Sequence, residues 1–290
     1  MIPAFINPLA GNAQAARAAL NAVGGFEIRE VPPTTLADHV RVAIDEGAQR
    51  LLIAGGDGSI GSAANVIGGT GVELAILPCG TLNHLAKDLS VPLELEDAAR
   101  VALNGCVTDM DAAVVNDRLF LNTSSVGAYV AFVRARERLE RRLGYHAASL
   151  VAAARLLFRM PIFRVTLRVE GVDRHYVTPL VFIGVGEREL RLPTLGARVP
   201  NGKSGLHVMV VRRRSGARAL ATALAAAARG VKAVARRPAM DAFLVESCRI
   251  EPRTARLSLD GELVSLVPPF EYRHVPAHLR VVVPTQETAS

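Results

Sequence analysis

Short apolar runs alternate with amphipathic stretches along the first 125 residues. Residues 4–6, 26–31, 51–54 and 74–77 predict strands, and the apolar run at 51–54 predicts a buried one. Between them, helical periodicity predicts helices over residues 12–22, from Thr34 or Thr35 to Glu46, and over residues 59–67. Because strands that alternate with helices are typical of a parallel sheet covered by helices, we expect a three-layer α/β domain over residues 1–125.

The pattern changes after Asn122. Residues 131–160 are rich in Arg and Ala and predict a helix with a break near Gly144. Residues 163–170 alternate strictly between apolar and polar side chains, which predicts a half-buried antiparallel strand. A helix is predicted near residues 217–235, and further strands at residues 177–185, 206–212, 242–251, 256–267 and 279–283. We therefore expect a C-terminal β-rich domain, a β-sandwich, over residues 126–275, and residues 276–290 can pack back on the first domain.

Composition narrows the classes of partner. The formal net charge of +7 favours an anionic partner such as a nucleotide, a nucleic acid or an acidic membrane surface. A soluble protein from an organism whose proteins are generally rich in Arg would have the same net charge without such a partner. No motif that reads nucleic acid accompanies the charge, so we expect no nucleic-acid partner. No run reaches the roughly 18 apolar residues that a transmembrane helix needs. The 3 cysteines have no metal-ligand spacing and suit a reducing cytosol.

Three glycine-containing turns follow predicted strands. Residues 55–58 read Gly-Gly-Asp-Gly between a strand and a helix, where glycines let the backbone approach a phosphate and helix N–H groups bind an anion. Alone, this turn is equally explained as a tight connection in which Asp57 caps the helix. Residues 7–12 and 78–87 form similar turns, and in a parallel sheet all three lie at the edge where α/β sheets bind ligands. We therefore predict a phosphate site in a Rossmann-like nucleotide-binding domain.

The ordered set of turns resembles the catalytic domain of diacylglycerol kinases, which sphingosine kinases and bacterial lipid kinases share. That family has three loops in this order at similar spacing, and here they read NPLAG, GGDGS and PCGTLNHLAKDL. Asp111, the stretch at residues 120–123, the Leu-Asp-Gly-Glu segment at 259–262 and the closing residues 276–281 extend the resemblance over nearly the whole chain.

The resemblance implies ATP as phosphate donor, Mg²⁺ as cation and a role for each matching residue. Asp260 takes the role of general base. Asp57 is a second catalytic residue, and by its own chemistry it can hold a Mg²⁺-bound water or orient a hydroxyl on the phosphate side. We assign no protein ligand to a metal. Glu262 and His84 are candidates for substrate binding. The residues implied for nucleotide binding are Asn7, Thr34, Gly55, Gly56, Asp57, Gly58, Ser59, Ile60, Gly61, Gly80, Thr81 and Asn83.

Some residues have a second explanation or depart from the family pattern. Asp260-Gly261 between apolar strands is typical of a two-residue hairpin turn, and a turn and a base are compatible. Ser59 replaces the usual Thr, and His84 replaces an Asp that often follows Asn83. Lys203 and Ser204 lie where relatives carry an Asp-Gly loop for a structural Mg²⁺, and because neither is a carboxylate we expect no cation there.

The expected acceptor is a lipid at a membrane surface. Arg134, Arg136 and Arg138 begin an Arg-rich stretch that can lie on anionic headgroups, or that can be a solvated helix with i,i+4 ion pairs. We expect a cytoplasmic protein, peripheral to the inner face of the membrane. Two alternatives remain: an NAD kinase-like phosphotransferase for a soluble substrate, and a non-catalytic nucleotide-binding regulator. The sequence identifies neither the lipid nor the oligomeric state.

Overall fold

The computed structural model describes residues 1–81, 83–127, 162–189, 197–199, 202–211, 240–252 and 256–285, together with residues 130, 139, 144 and 151. Within it the chain forms two compact units, one of residues 1–112 with 275–290 and one of residues 113–274. Most of the Arg-rich stretch 131–160 and the helix predicted near 217–235 lie outside the described residues. No helix among the described residues is both long and apolar enough to cross a bilayer.

The first unit is built on a parallel sheet. Its strands stand in the order β2-β1-β3-β4, and the end of a late strand, β16, pairs in parallel with β4. The strands are β1 Ile2–Ile6, β2 Phe26–Glu30, β3 Arg50–Gly55, β4 Glu73–Pro78 and β16 Phe270–Val283. The helices are α1 Ala13–Val23, α2 Leu36–Asp45, α3 Asp57–Ile67, α4 His84–Asp88 and α5 Leu95–Asn104. The predicted parallel α/β architecture is confirmed.

Strand order places helices on both faces of this sheet. The chain moves from β1 to β2 in one direction, then returns past β1 to β3 and on to β4. Because parallel crossovers are right-handed, α1 lies on one face and α2 and α3 on the other. The helix contacts agree, since α1 packs with α5 and α2 packs with α3. The direction of winding reverses between β1 and β3, and such a switch point is where open α/β sheets bind ligands.

The two helix layers explain why strands β1, β3 and β4 are mostly apolar. Phe5 in β1, Ile53 in β3 and Ala75 in β4 are buried, as are their neighbours along each strand. A strand covered on both faces has no solvent-facing positions, so its sequence is a continuous apolar run. Helices α4 and α5 were not predicted. Helix α5 begins after Glu94, whose side chain accepts the Asp97 N–H at 2.9 Å.

The second unit is antiparallel. Six strands form one sheet in the order β12-β11-β10-β7-β14-β15, and β9, β8, β13 and the start of β16 follow one another in a second. The remaining strand of the first unit, β5 Cys106–Val115, continues into the second at Ala113. The strands of the second unit are β6 Arg118–Phe120, β7 Thr123–Gly127, β8 Phe163–Val169, β9 Val172–Thr178, β10 Leu180–Val185, β11 Leu206–Val211, β12 Met240–Val245, β13 Ser247–Pro252, β14 Arg256–Leu259 and β15 Glu262–Ser265. Leu167 and Ile250 of the second sheet share a core with Ile183 and Val208 of the first. The predicted β-rich sandwich is confirmed.

Two strands that the sequence predicts as continuous are each divided. Residues 177–185 form the end of β9 and all of β10, with Pro179 between them, and Glu246 separates β12 from β13. At both breaks the chain passes from one sheet to the other. Pro179 has no N–H to donate to a strand ladder. At this break the hydroxyl of the preceding residue, Thr178, donates to Val211 O at 2.7 Å. Apolar runs reveal strands, but not the single residue at which a strand changes sheet.

Candidate active site

Three turns of the first unit meet at the carboxyl ends of β1, β3 and β4. Asn7 joins the first turn to the second, because its side-chain N–H donates to Ser59 Oγ at 3.3 Å. The same side chain closes its own turn by accepting the Leu9 N–H at 2.9 Å. A Cβ on Gly55 would lie 2.7 Å from Ser59 Cβ, so only glycine leaves room for the serine. Asn7 therefore holds the first turn against the start of α3.

The second and third turns touch through two glycines. A Cβ built on Gly80 would lie 2.6 Å from Gly56 Cα and 2.9 Å from Asn83 Oδ1. Asn83 adopts left-handed φ (49°) and clamps Gly80, accepting its N–H and donating to its carbonyl, both at 2.9 Å. The Asn83 side chain is thus engaged inside its own turn. This backbone contact requires glycine at 80, and at 56 a Cβ would lie 3.3 Å from Gly80 Cα, a tight contact.

Asp57 fastens the second turn to α4. Its two carboxylate oxygens accept the N–H groups of His84 and Leu85, each at 3.1 Å. Asp57 is the first residue of α3 and Gly56 is the cap, so Asp57 does not cap its own helix. It caps the helix that follows the neighbouring strand instead. A carboxylate at a helix start is favourable because the first N–H groups of a helix have no acceptor within it.

The start of α3 is the part of this edge that is open to an anion. Gly58 is exposed, and Gly56 and Asp57 are half-buried. The first turn of α3 presents N–H groups that the helix itself does not use, which is the arrangement that binds phosphates. Ser59 and Ile60 are buried, so Ile60 faces the core and only its backbone is available. A Cβ on Gly61 would meet nothing within 4 Å.

The remaining candidates of the first unit lie on its surface. Thr81 and His84 are exposed in the third turn and at the start of α4, and Thr34 is exposed in the turn after β2. Cys79, in the same turn as Thr81, is buried, and burial raises the pKa of its thiol to about 11. The thiol is therefore protonated at neutral pH and is a weak nucleophile.

Asp260 occupies the hairpin turn between β14 and β15 in the second unit. Leu259 pairs with Glu262, and Asp260 and Gly261 both have positive φ (46° and 90°), as the two-residue turn requires. The half-buried Asp260 carboxylate accepts three backbone N–H groups at 2.8 Å each, from Leu121, Asn122 and Thr123. The turn and a fixed, partly accessible carboxylate are therefore the same feature. Glu262, two residues on, is exposed.

The loop around Lys203 carries no carboxylate of its own. The Lys203 N–H donates to Glu187 Oε2 at 3.0 Å, and Ser204 Oγ lies 3.3 Å from His274 Nε2. Within the residues the structure describes, no three His, Cys, Asp or Glu side chains cluster closely enough to hold a metal ion.

Comparison with known proteins agrees with this geometry. Residues 2–115 match the family described as the diacylglycerol kinase catalytic domain. This segment is therefore similar to diacylglycerol kinase catalytic domains. It contains all three turns and ends in β5, so Asp260 and Glu262 lie outside the matched residues. The resemblance drawn from the sequence is confirmed for this part of the chain.

Two curated relatives carry related names. A protein of Cronobacter sakazakii named "Probable lipid kinase YegS-like" is 31% identical over 157 residues, covering 52% of this chain and 51% of the relative. A protein of Mycobacterium tuberculosis named "Diacylglycerol kinase" is 27% identical over 172 residues, covering 53% of this chain and 56% of the relative. The chain thus spans about half the length of the curated relatives that it matches.

A solved structure extends the likeness of the fold to the whole chain. The crystal structure of a diacylglycerol kinase from Bacillus anthracis superimposes with a TM-score of 0.74 at 20% identity, covering 99% of this chain and 98% of that one. At this identity the likeness concerns the fold. The parallel domain and the antiparallel β-rich domain of this chain are therefore a known combination.

Proposed function

We propose that this protein is an ATP-dependent lipid kinase, which transfers the γ-phosphate of ATP to a hydroxyl of a membrane lipid such as diacylglycerol. The observation that supports it best is the joined set of turns at the switch point of the first unit. Asn7, the Gly56–Gly80 contact and Asp57 fix three turns to one another in a segment of the diacylglycerol kinase catalytic domain family.

The donor half of the reaction belongs to the first unit. The N–H groups at the start of α3 bind the ATP phosphates, and the glycines at 56, 58 and 80 keep side chains away from them. The hydrogen bonds around Asn7, Asp57 and Asn83 hold these turns in place. Since phosphoryl transfer depends mainly on positioning and charge stabilisation, this rigidity is the contribution of the first unit.

The residues present fit a Mg²⁺ ion carried by ATP. Mg²⁺ keeps several waters and needs only one or two carboxylates besides the phosphates. Asp57 supplies one, and each of its oxygens accepts a single N–H among the described residues, which leaves a second lone pair for a metal-bound water. When bound, the ion would neutralise the charge that develops on the phosphate oxygens.

The acceptor half of the reaction is assigned to Asp260. The lipid hydroxyl must lose a proton as its oxygen attacks phosphorus, and a fixed carboxylate can accept that proton. Three N–H donors hold the Asp260 carboxylate in one orientation, which is what a general base needs. Glu262 on β15 and His84 on α4 are exposed and remain our candidates for contacts with the lipid.

The proposal is tested by a transfer assay with γ-labelled ATP. Vesicles containing diacylglycerol, a sphingoid base or phosphatidylglycerol serve as acceptors, with NAD as a soluble acceptor in parallel. We expect label in one of the lipids and none in NAD. The Asp260→Asn variant should lose at least about 100-fold in rate, the scale of general-base catalysis, and keep its affinity for ATP. Label in NAD alone, or ATP binding without transfer to any acceptor, would contradict the proposal.

A further inference from the structure

Arg188 is a charged side chain buried inside the second unit. It is 2% exposed, just beyond the end of β10. Two of its donors bind one residue: Nη1 donates to Asn122 Oδ1, and Nη2 donates to Asn122 O at 2.9 Å. Its Nε and Nη2 also donate to Val185 O at 3.1 and 2.7 Å. A buried guanidinium is costly unless its donors are used, so this site is built around it.

The surroundings of Arg188 are shaped to accept it. A Cβ on Gly184 would lie 2.4 Å from Arg188 Cγ and 2.7 Å from its Nε, so glycine at 184 makes room for the side chain. The Arg188 backbone N–H donates to His207 Nδ1 at 2.8 Å. Burial, and then the charge of Arg188, lower the pKa of His207, which favours the neutral ring that can accept this bond.

Asn122 connects this arginine to the proposed base. The Asn122 N–H donates to Asp260 Oδ1, as does the N–H of Thr123, and the Asp260 N–H donates to Thr123 O, all at 2.8 Å. Asn122 therefore accepts hydrogen bonds from Arg188 at its carbonyl and side-chain oxygens, and its N–H donates to Asp260. Fixing this residue fixes two of the hydrogen bonds that orient the carboxylate.

We propose that Arg188 is a positioning residue for Asp260, acting through Asn122. This inference rests on the proposed function, because it gives Arg188 a part in catalysis only if Asp260 is the base. Arginine is needed for its shape. A planar guanidinium reaches two oxygens of Asn122 and one of Val185 together, whereas a lysine ammonium has three donors in a different geometry. Nothing in the sequence around Arg188 distinguishes it from the other arginines of the chain.

The test is the Arg188→Lys variant, which keeps the buried positive charge. We expect kcat to fall roughly 10- to 100-fold, as small displacements of a catalytic group do, and the KM for ATP to stay within about threefold. The acid limb of the pH–rate profile should move to higher pH, since loosened N–H donors favour the ionised carboxylate less. The double variant with Asp260→Asn should be no slower than Asp260→Asn alone, because both changes affect one group.

The matched control is Arg50→Lys in the first unit. Arg50 donates to the carbonyls of Ala102 and Leu103 at 2.9 and 3.0 Å and pairs with Glu73, so it too ties elements together. We expect the control to lower stability without moving the acid limb. A wild-type kcat and pH profile in Arg188→Lys, or a further loss when it is added to Asp260→Asn, would overturn the inference.

Amide exchange separates this inference from the proposed function. Arg188→Lys should speed hydrogen exchange at the amides of Leu121, Asn122 and Thr123, and Arg50→Lys should not. If the wild-type protein transfers no phosphate to any acceptor, the proposed function fails, and the exchange rates alone decide whether Arg188 fixes the segment that holds Asp260. Unchanged exchange in Arg188→Lys overturns the inference whatever the activity.

Discussion

Two adjacent serines in β7 differ in whether the hydroxyl has a hydrogen-bond partner. Ser124 and Ser125 are both buried, but Ser124 Oγ lies 2.9 Å from the hydroxyl of Tyr272, whereas Ser125 Oγ has no hydrogen-bond partner among the described residues. Ser125 stands opposite Ser258 of β14, whose hydroxyl is likewise without a partner in that part of the chain. Burial raises the pKa of Tyr272, so its hydroxyl stays neutral and needs a partner.

The two serines should therefore respond differently to alanine. Ser124→Ala leaves the buried Tyr272 hydroxyl without its partner and should cost about 1–3 kcal/mol of unfolding free energy. Ser125→Ala removes a hydroxyl that makes no bond and should change stability by less than about 0.5 kcal/mol. Urea unfolding of both variants, with unchanged m-values, measures the difference. A loss in Ser125→Ala as large as that in Ser124→Ala would mean that a water satisfies Ser125.

At the residue scale the sequence predicted the turns better than the side-chain contacts within and between them. Asp57 and Asn83 were expected to contact the nucleotide, and in the structure their side chains bind the N–H groups of α4 and of Gly80. The Asp57 contacts join two different turns, so no local pattern predicts them, whereas Asn83 binds a residue of its own turn. The hairpin at Asp260 was predictable, because Asp-Gly between apolar strands is a local signal. The three N–H donors that reach it from 121–123 were not.

At the scale of elements, the contact between the second and third turns leaves no room for a methyl group on Gly80. Gly80→Ala places a methyl 2.6 Å from Gly56 Cα, where backbone must move. We expect at least a tenfold loss of ATP affinity, together with lower stability. Gly61→Ala is the control for stability: its Cβ meets nothing within 4 Å, so replacing a helix-interior glycine should add about 0.5–1 kcal/mol. Calorimetric titration with ATP and thermal melts measure both, and wild-type ATP affinity in Gly80→Ala would contradict this account.

Elements with one strong periodicity were predicted well. Strands β1, β3 and β4 are apolar, apart from Arg50 and Glu73 at the starts of β3 and β4, because helices cover both faces. Strand β8 alternates because one face is exposed. Helix α5 was missed although its buried residues recur at helical spacing, at Ala98, Val101 and Ala102. Because most of these buried side chains are small, the buried face of α5 is only weakly hydrophobic, and its helical pattern is weaker than the apolar runs that predict the strands.

At the scale of the whole molecule, the two units are joined by a strand that neither unit contains entirely. Residues of β16 near Phe270 pair with β13 in the second unit, and Arg280 and Val281 pair with β4 in the first. Residues 270–283 therefore contribute to both units, which are otherwise built on different principles, one parallel and one antiparallel. The sequence placed a strand at 279–283 but not the ten or so residues before it, because their polar positions (Arg273, His274 and His278) interrupt the apolar pattern.

The net charge of the molecule bears on how it would reach a lipid. A charge of +7 attracts anionic headgroups, and salt screens that attraction over about 10 Å at 0.1 M. We expect co-sedimentation with phosphatidylglycerol vesicles at low salt, little with phosphatidylcholine, and loss of binding by about 0.5 M salt. Replacing Arg134, Arg136 and Arg138 with Gln should weaken binding if that stretch is the docking segment.

A second triple variant makes this test specific to the segment. Changing Arg17, Arg29 and Arg41 to Gln removes the same charge from positions where each arginine pairs with an acidic side chain on the surface of the first unit. Only the variant of the segment 134–138 should lose binding and, with it, transfer to a lipid presented in anionic vesicles. Equal losses in both would assign docking to overall charge, and binding that persists in both at low salt would place the membrane contact elsewhere. A wild-type protein that binds no anionic vesicle would contradict docking by charge altogether.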